Sequence, residues 1–446
     1  MSTARTTSAA MGAAQSGSLS VAFAGVWLFF LVYYARPSEW LPGAETFPFA
    51  KVAAFVAIAG FLAALPLRGP RVIRPIFQSA ELKGLACLYA YMWLTIPTAI
   101  WPGGSFKHLT TDYWKIIAIT LLIGATVNSL SRLRKLLFVS ALSMVVMSIF
   151  AIRSYFLGEF IRGRVEGVLR GLFGNPNDLA FNIVIVLPFC LALVLSAKSR
   201  PRRLFWAVCA ATMTLAVIVT FSRAGFLALL AGALVALWEF GVKGRRHSLI
   251  ALSMLFAIGL AVWLVPPAYQ NRLSTIVSPE TDETGSAQQR QLLLQRSLAV
   301  TLERPLFGVG PGNFRVVSGM WKDTHNTYLE MSAEAGIPAL LLFLYILWRA
   351  FGSISRTIRS TEYDKSLQLL AQGSRASLAA LVVGFLFHSV SYHFFSYLVI
   401  GYVVALSQIA HQSSLNLAGS SQESKGREFA IWREATPRMS VDMSAS

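Results

Sequence analysis

Four residues of this chain have the type and the setting to handle a charged or reactive group: Arg170, Arg223, Arg290 and His325. Each lies beside an apolar run rather than within one. A guanidinium offers a planar fork of donors that fits phosphate oxygens two at a time. A neutral imidazole can take a proton near neutral pH. Plainer readings compete at every position. Arg223, in the short segment SRAG, could only snorkel to head groups. Arg290 has Arg296 and Arg304 close by in sequence and could be one of several solvated charges. Arg170 shares its segment with Arg164, and His325 could cap or pack a helix. Asn326, Asn177 and Asp178 stand where helices should begin, and capping accounts for them. His388 and His393 flank an apolar run without a motif, which favours packing or interfacial placement.

The remaining polar chemistry is sparse. Cys87, Cys190 and Cys209 all sit in apolar runs and read as small buried hydrophobes. No outward cluster of Asp, Glu or His has metal-ligand spacing, so no metal or other cofactor is expected.

The elements that must position these residues are set by solvent. Of 446 residues, 55% are hydrophobic and 13% charged, with a mean hydropathy of +0.57. A soluble domain usually carries about 25% charge, so lipid must cover most of this surface. An open sheet is too costly there, because its unpaired backbone groups would face hydrocarbon. The expectation is an all-α, polytopic membrane protein with about twelve spans. Their cores run Val21–Ala35, Val52–Leu67, Leu85–Ile100, Ile116–Leu130, Leu136–Ile152, Leu179–Leu195, Leu204–Val219, Ala224–Phe240, Leu249–Val265, Ile337–Phe351, Ala376–Phe387 and Phe395–Ile409.

The net charge of +18 falls in short clusters between these runs, which argues for membrane flanks and against nucleic acid. Arg68, Arg71, Arg74 and Lys83 form one cluster; Arg132, Arg134 and Lys135 a second. Lys198, Arg200, Arg202 and Arg203 form a third, and Lys243, Arg245 and Arg246 a fourth. Arg349, Arg356, Arg359, Lys365 and Arg375 complete the set. With twelve spans all five fall on one side, the cytoplasmic one. The chain then divides into a cytoplasmic N-terminal tail (1–19), nine spans (20–265), a large periplasmic loop (266–336), three spans (337–411) and a disordered, Ser-rich cytoplasmic tail (412–446). Basic residues on the outer side oppose the usual bias, and an anionic ligand is the natural reason to keep them. Within the large loop, Leu293, Leu294, Leu298 and Leu302 repeat at helical spacing, predicting an amphipathic helix on the membrane surface that Pro305 ends. Gly308, Gly310 and Gly312 then allow a tight return towards the membrane.

Three blocks carry a resemblance: GLFGNPNDLA (Gly171 to Ala180), TFSRAGFLALLAG (Thr220 to Gly232), and the pair RPLFGVGPGNF and HNTYLEMSAEAG (Arg304 to Phe314, His325 to Gly336). In this order, with many spans and one late outer loop, the chain resembles the bacterial O-antigen ligase and O-antigen polymerase superfamily. The resemblance implies an inner-membrane enzyme that moves a glycan from a polyprenyl diphosphate carrier to a hydroxyl on the periplasmic face. The acceptor would be lipid A core, another glycan or a protein. It also implies roles. Arg223 and Arg290 match the diphosphate-binding arginines, Arg170 a third phosphate contact, and His325 the catalytic base. Inversion at the anomeric carbon and independence of metals would follow. The competing expectation is a transporter or flippase of lipid-linked glycans, which also has about twelve spans. Such a protein should show repeat-related halves and ionisable groups near midplane, and this lopsided chain does not.

Overall fold

The computed structural model describes residues 2–161, 164–165, 174–244, 246 and 286–435. Twelve principal helices occur among them. They are α1 (Ser2–Ala35), α2 (Phe49–Arg68), α3 (Ala80–Thr95), α4 (Trp114–Thr126), α5 (Leu130–Phe156), α6 (Pro176–Ser196), α7 (Arg200–Val219), α8 (Arg223–Ala236), α9 (Ser286–Glu303), α10 (Thr327–Ser360), α11 (Lys365–Gly384) and α12 (Phe394–Ala435). The described strands are a two-residue antiparallel pair, β1 (Phe160–Ile161) and β2 (Arg164–Val165).

Eight helical segments among the described residues are long and apolar enough to cross a membrane: α1, α2, α5, α6, α7, α8 together with the helical turns that carry it on to Val242, α10 and α12. The expected spans at Leu85–Ile100, Ile116–Leu130 and Ala376–Phe387 correspond to α3, α4 and α11. Among these, α3 (16 residues) runs on into the helical turn Ile96–Thr98, and α4 (13 residues) directly continues the helical segments Pro102–His108 and Leu109–Tyr113. They pack within the bundle, α3 on α10, α4 on α12, and α11 on α6 and α8. The expected span Leu249–Val265 lies outside the described residues.

Two helices form the centre. The most apolar stretches of α6 and α12 are 78% and 83% buried, whereas that of α2 is 28% buried. The outer faces are apolar instead of charged: Phe55, Leu94, Ile149, Leu204 and Trp348 are all exposed. A water-facing surface does not tolerate so continuous an apolar skin. One buried carboxylate, Glu239, is held by Arg375 at 2.5 Å and Lys243 at 3.2 Å, the pairing that a charge in such a bundle requires.

The tail after His411 is not structureless, because α12 continues to Ala435. Its Ser-rich stretch also carries enough Leu, Ala, Gln and Glu to propagate a helix already nucleated in the bundle. At the other end of the chain α1 begins at Ser2, and its membrane-crossing stretch begins at Leu19.

Candidate functional site

The loop that presents His325 is built from two of the sequence blocks. Helix α9 ends at Glu303, just before Pro305, as its sequence predicts. Its packed face is Leu293, Ser297 and Val300, all buried; Leu294, Leu298 and Leu302 form an exposed apolar stripe. The chain then folds back onto the first turns of α10. Val309 N–H donates to the Ala333 carbonyl (2.9 Å), Gly310 N–H to the Glu334 carbonyl (2.8 Å), and Ile337 N–H to the Pro305 carbonyl (2.7 Å). The Glu334 carboxylate, 3% exposed, accepts from Gly312 N–H (2.7 Å) and Phe314 N–H (2.9 Å). Gly336 breaks α10 with φ 85° and ψ 170°, and a side-chain carbon there would meet the Leu306 carbonyl oxygen at 1.9 Å. Only glycine meets both requirements.

Beyond this clasp, Arg315 grips Asp323 with two parallel bonds of 2.5 and 2.7 Å, which raises the guanidinium's already high pKa. His325 follows in the left-handed region, φ 53°. That conformation is uncommon for a residue with a side chain and clusters at functional positions. Asn326 caps α10 as expected, its Oδ1 accepting from Tyr328 N–H (3.0 Å) and Leu329 N–H (3.1 Å).

A second loop, 385–393, is sewn to the same turn. Thr327 N–H donates to the Phe385 carbonyl (2.8 Å), and its hydroxyl to the His388 carbonyl (2.6 Å). Ser391 N–H donates to Glu330 Oε2 (2.9 Å). Thr324 Oγ1 and Ser389 Oγ are 2.8 Å apart. His388 is buried, lies flat on Phe181 of α6 at 4.5 Å, and places its ring nitrogens against the carbonyls of Gly384 (3.0 Å) and Asn177 (3.1 Å). Asn177 continues the connection, because its Oδ1 accepts from the Ser222 hydroxyl at 2.8 Å. Ser222 caps α8, accepting from Gly225 N–H at 3.0 Å, and the next residue is Arg223. Thus Asn177 does not cap α6; Asn175 does, accepting from Asn177 N–H at 3.0 Å.

His325, Arg290 and Arg223 therefore gather at one end of the bundle. Burial, then the Arg290 charge, push the His325 pKa down to about 4, against the opposing pull of Asp323. Arg290 also helps depress His388, where burial is again the larger cause. Arg296 is committed elsewhere, to the Val317 carbonyl (3.0 Å) and Glu303 (3.3 Å). The N-termini of α6, α8 and α10 converge on this end and add positive potential to that of the two arginines. Such an arrangement can hold an anion beside a neutral imidazole. Arg170 lies outside the described residues, and Arg164 is placed in β2 by its backbone alone. Among the described residues no cluster of His, Cys, Asp or Glu has the geometry of a metal site.

Sequence reading missed Asp323, Arg315 and the bridging role of Asn177, and it set His388 aside as packing. Nothing in HSVSYH marks its first residue; the partner Asn177 is 211 positions away.

The comparisons bear on the same residues. The family model described as O-antigen ligase (Wzy_C) matches residues 208–344. No curated protein matches. Among solved structures, a chain from "Structural coordination of polymerization and crosslinking by a peptidoglycan synthase complex" aligns over 74% of this chain and 98% of its own, at 14% identity and a TM-score of 0.45. So loose a likeness carries no inference about chemistry. The family match spans Arg223, Arg290 and His325 together: residues 208–344 of this multi-pass membrane protein are similar to the O-antigen ligase family.

Proposed function

We propose that the chain transfers a glycan from a polyprenyl diphosphate carrier to a hydroxyl acceptor, at the periplasmic face of a bacterial inner membrane. The observation that carries this reading is His325, kept neutral beside Arg290 and tied to the Arg223 turn through His388, Asn177 and Ser222. Arg223 and Arg290 grip the diphosphate, with Arg170 as a further contact. The acceptor hydroxyl attacks the anomeric carbon while its proton passes to the His325 imidazole. The bond from that carbon to the diphosphate oxygen breaks, and the diphosphate leaves with the electron pair. The arginines and helix N-termini stabilise the charge it gains. Attack opposite the leaving group inverts the anomeric carbon. The cationic side chains do the work that a divalent ion does in other phosphate sites, so transfer should survive chelation.

The basic clusters at the other end of the bundle support this orientation, with both termini cytoplasmic. Lipid A core, a growing glycan and a protein hydroxyl all remain open as acceptors at this level. The test replaces His325, Arg223 and Arg290 by Ala singly and measures surface glycan transfer against membrane level of the protein. General-base removal costs about 10²–10⁴ in rate, so His325→Ala should abolish detectable product. Normal glycan in all three variants would sink the assignment.

A further inference from the structure

A cavity of about 410 Å³ lies beyond the 385–393 loop, on the side away from α6 and α8. Its polar wall is Tyr33, Arg36 and Ser38 at and just beyond the end of α1, Lys51 on α2, Asp112 just before α4 and Lys115 on it, and Tyr392 and His393 of the loop. The two faces of that loop thus serve different spaces. His388 turns to Asn177 and Phe181, whereas Tyr392 packs edge-on against Tyr113 and His108.

The cations here are drawn inward. The Lys115 side chain is 15% exposed and that of Arg36 28%. Arg36 pairs with Glu39 at 2.7 Å, while Lys115 has Asp112 only at 3.5 Å. No carboxylate pairs with Lys51 among the described residues, and its charge repels that of Lys115. Asp112 lines the cavity as well and offsets part of this charge, but the three cations Arg36, Lys51 and Lys115 face that one carboxylate, and a bound anion joining the two ammonium groups would relieve their repulsion. The rest of the lining is apolar, including Phe29, Phe47 and Phe49. Phe47 stands exposed at the rim, and Phe55 of α2 is exposed on the outer surface. The cavity accordingly offers a cationic floor with lipid-compatible flanks.

Inverting transfer needs its two reactants on opposite sides of the anomeric carbon. The loop beside His325 separates two cationic spaces, one with Arg223 and Arg290, the other with Lys51 and Lys115. We propose that the second cavity binds the phosphate of a lipid-anchored acceptor, with Lys51 and Lys115 as its ligands. The word acceptor rests on the glycosyl transfer reading; the binding of a lipid phosphate does not.

The test uses the full chain in detergent and native mass spectrometry. The probes are dioleoyl phosphatidic acid, dioleoylglycerol with the same chains, and inorganic phosphate. Arg223→Gln with Arg290→Gln removes the other phosphate site. In that background phosphatidic acid should still bind, and adding Lys51→Gln and Lys115→Gln should weaken it at least tenfold. Lys51→Arg with Lys115→Arg should retain binding, which separates loss of charge from loss of fold. Undiminished binding after the Gln pair overturns the proposal, as does equal binding of dioleoylglycerol. Inorganic phosphate binding as tightly as phosphatidic acid overturns its lipid part. His325→Ala should stop transfer and leave phosphatidic acid binding unchanged. If transfer persists in that variant while the Lys pair loses the lipid, the transfer chemistry fails and the lipid-phosphate site stands.

Discussion

Replacing Glu334 by Ala should unfasten the loop that presents His325. The carboxylate is buried and accepts from two main-chain donors, Gly312 N–H at 2.7 Å and Phe314 N–H at 2.9 Å. Removing it leaves both donors without that acceptor, in a place water does not readily reach. Each orphaned donor costs about 1–3 kcal/mol, so the pair costs about 4 kcal/mol. That loss falls on local opening of residues 304–317 before it falls on the bundle, because this loop packs in a small apolar cluster of its own with Leu293, Val300 and Ala333. At about 1.4 kcal/mol per factor of ten, amide hydrogen exchange at Gly312 and Phe314 should quicken about a thousandfold, up to the limit set by global unfolding. Exchange in α6 and α12 should hardly change. Glu334→Gln keeps one acceptor oxygen but turns an NH2 group on the other donor, so it should accelerate exchange nearly as much. Hydrogen exchange with mass spectrometry on the detergent-solubilised protein reads both effects. Unchanged protection of 304–317 in Glu334→Ala would refute the reasoning that this carboxylate holds the loop.

Three further outcomes follow from the same end of the bundle. His325, His388 and His393 each have a pKa near 4, chiefly through burial, against an ordinary value of about 6.5. Between those values these imidazoles bind more protons in the unfolded chain than in the folded one, so their contribution to stability rises with pH from about 4 to about 6.5 and then levels; a difference in melting midpoint between the unmutated protein and His393→Gln that stays flat across that window would count against it. Arg290→Gln removes a charge that depresses His325, so the acid limb of residual transfer activity should move to higher pH; a limb that stays put would separate the two residues. Asp323→Asn should move it the other way, since the carboxylate raises the His325 pKa, while costing little stability because Arg315 is mostly exposed.

The apolar runs made the membrane helices legible, since the sequence of α2, α6 or α8 contains little besides lipid-soluble residues. At α3, α4 and α11, however, hydrophobic runs alone do not distinguish enclosure by neighbours from crossing. On α9 the repeat Leu294, Leu298, Leu302 was visible, but only packing shows that it faces outward while Ser297 lies inside. Asn326 was legible as a cap because capping is local. His388 and Asn177 were not, because their contact joins α6 to the end of α11 and leaves no mark on either stretch. Candidate residues at the site were easiest to find where type and position were both unusual, as with an Arg opening a membrane helix at Arg223.

The break in α10 has one more consequence, for engineers of chimeras. Backbone meets backbone between Leu306–Gly310 and Ala333–Ile337, so neither stretch can be swapped alone. A graft carrying 325–336 from another protein imports half a buckle, and the host's own 304–314 must be exchanged with it.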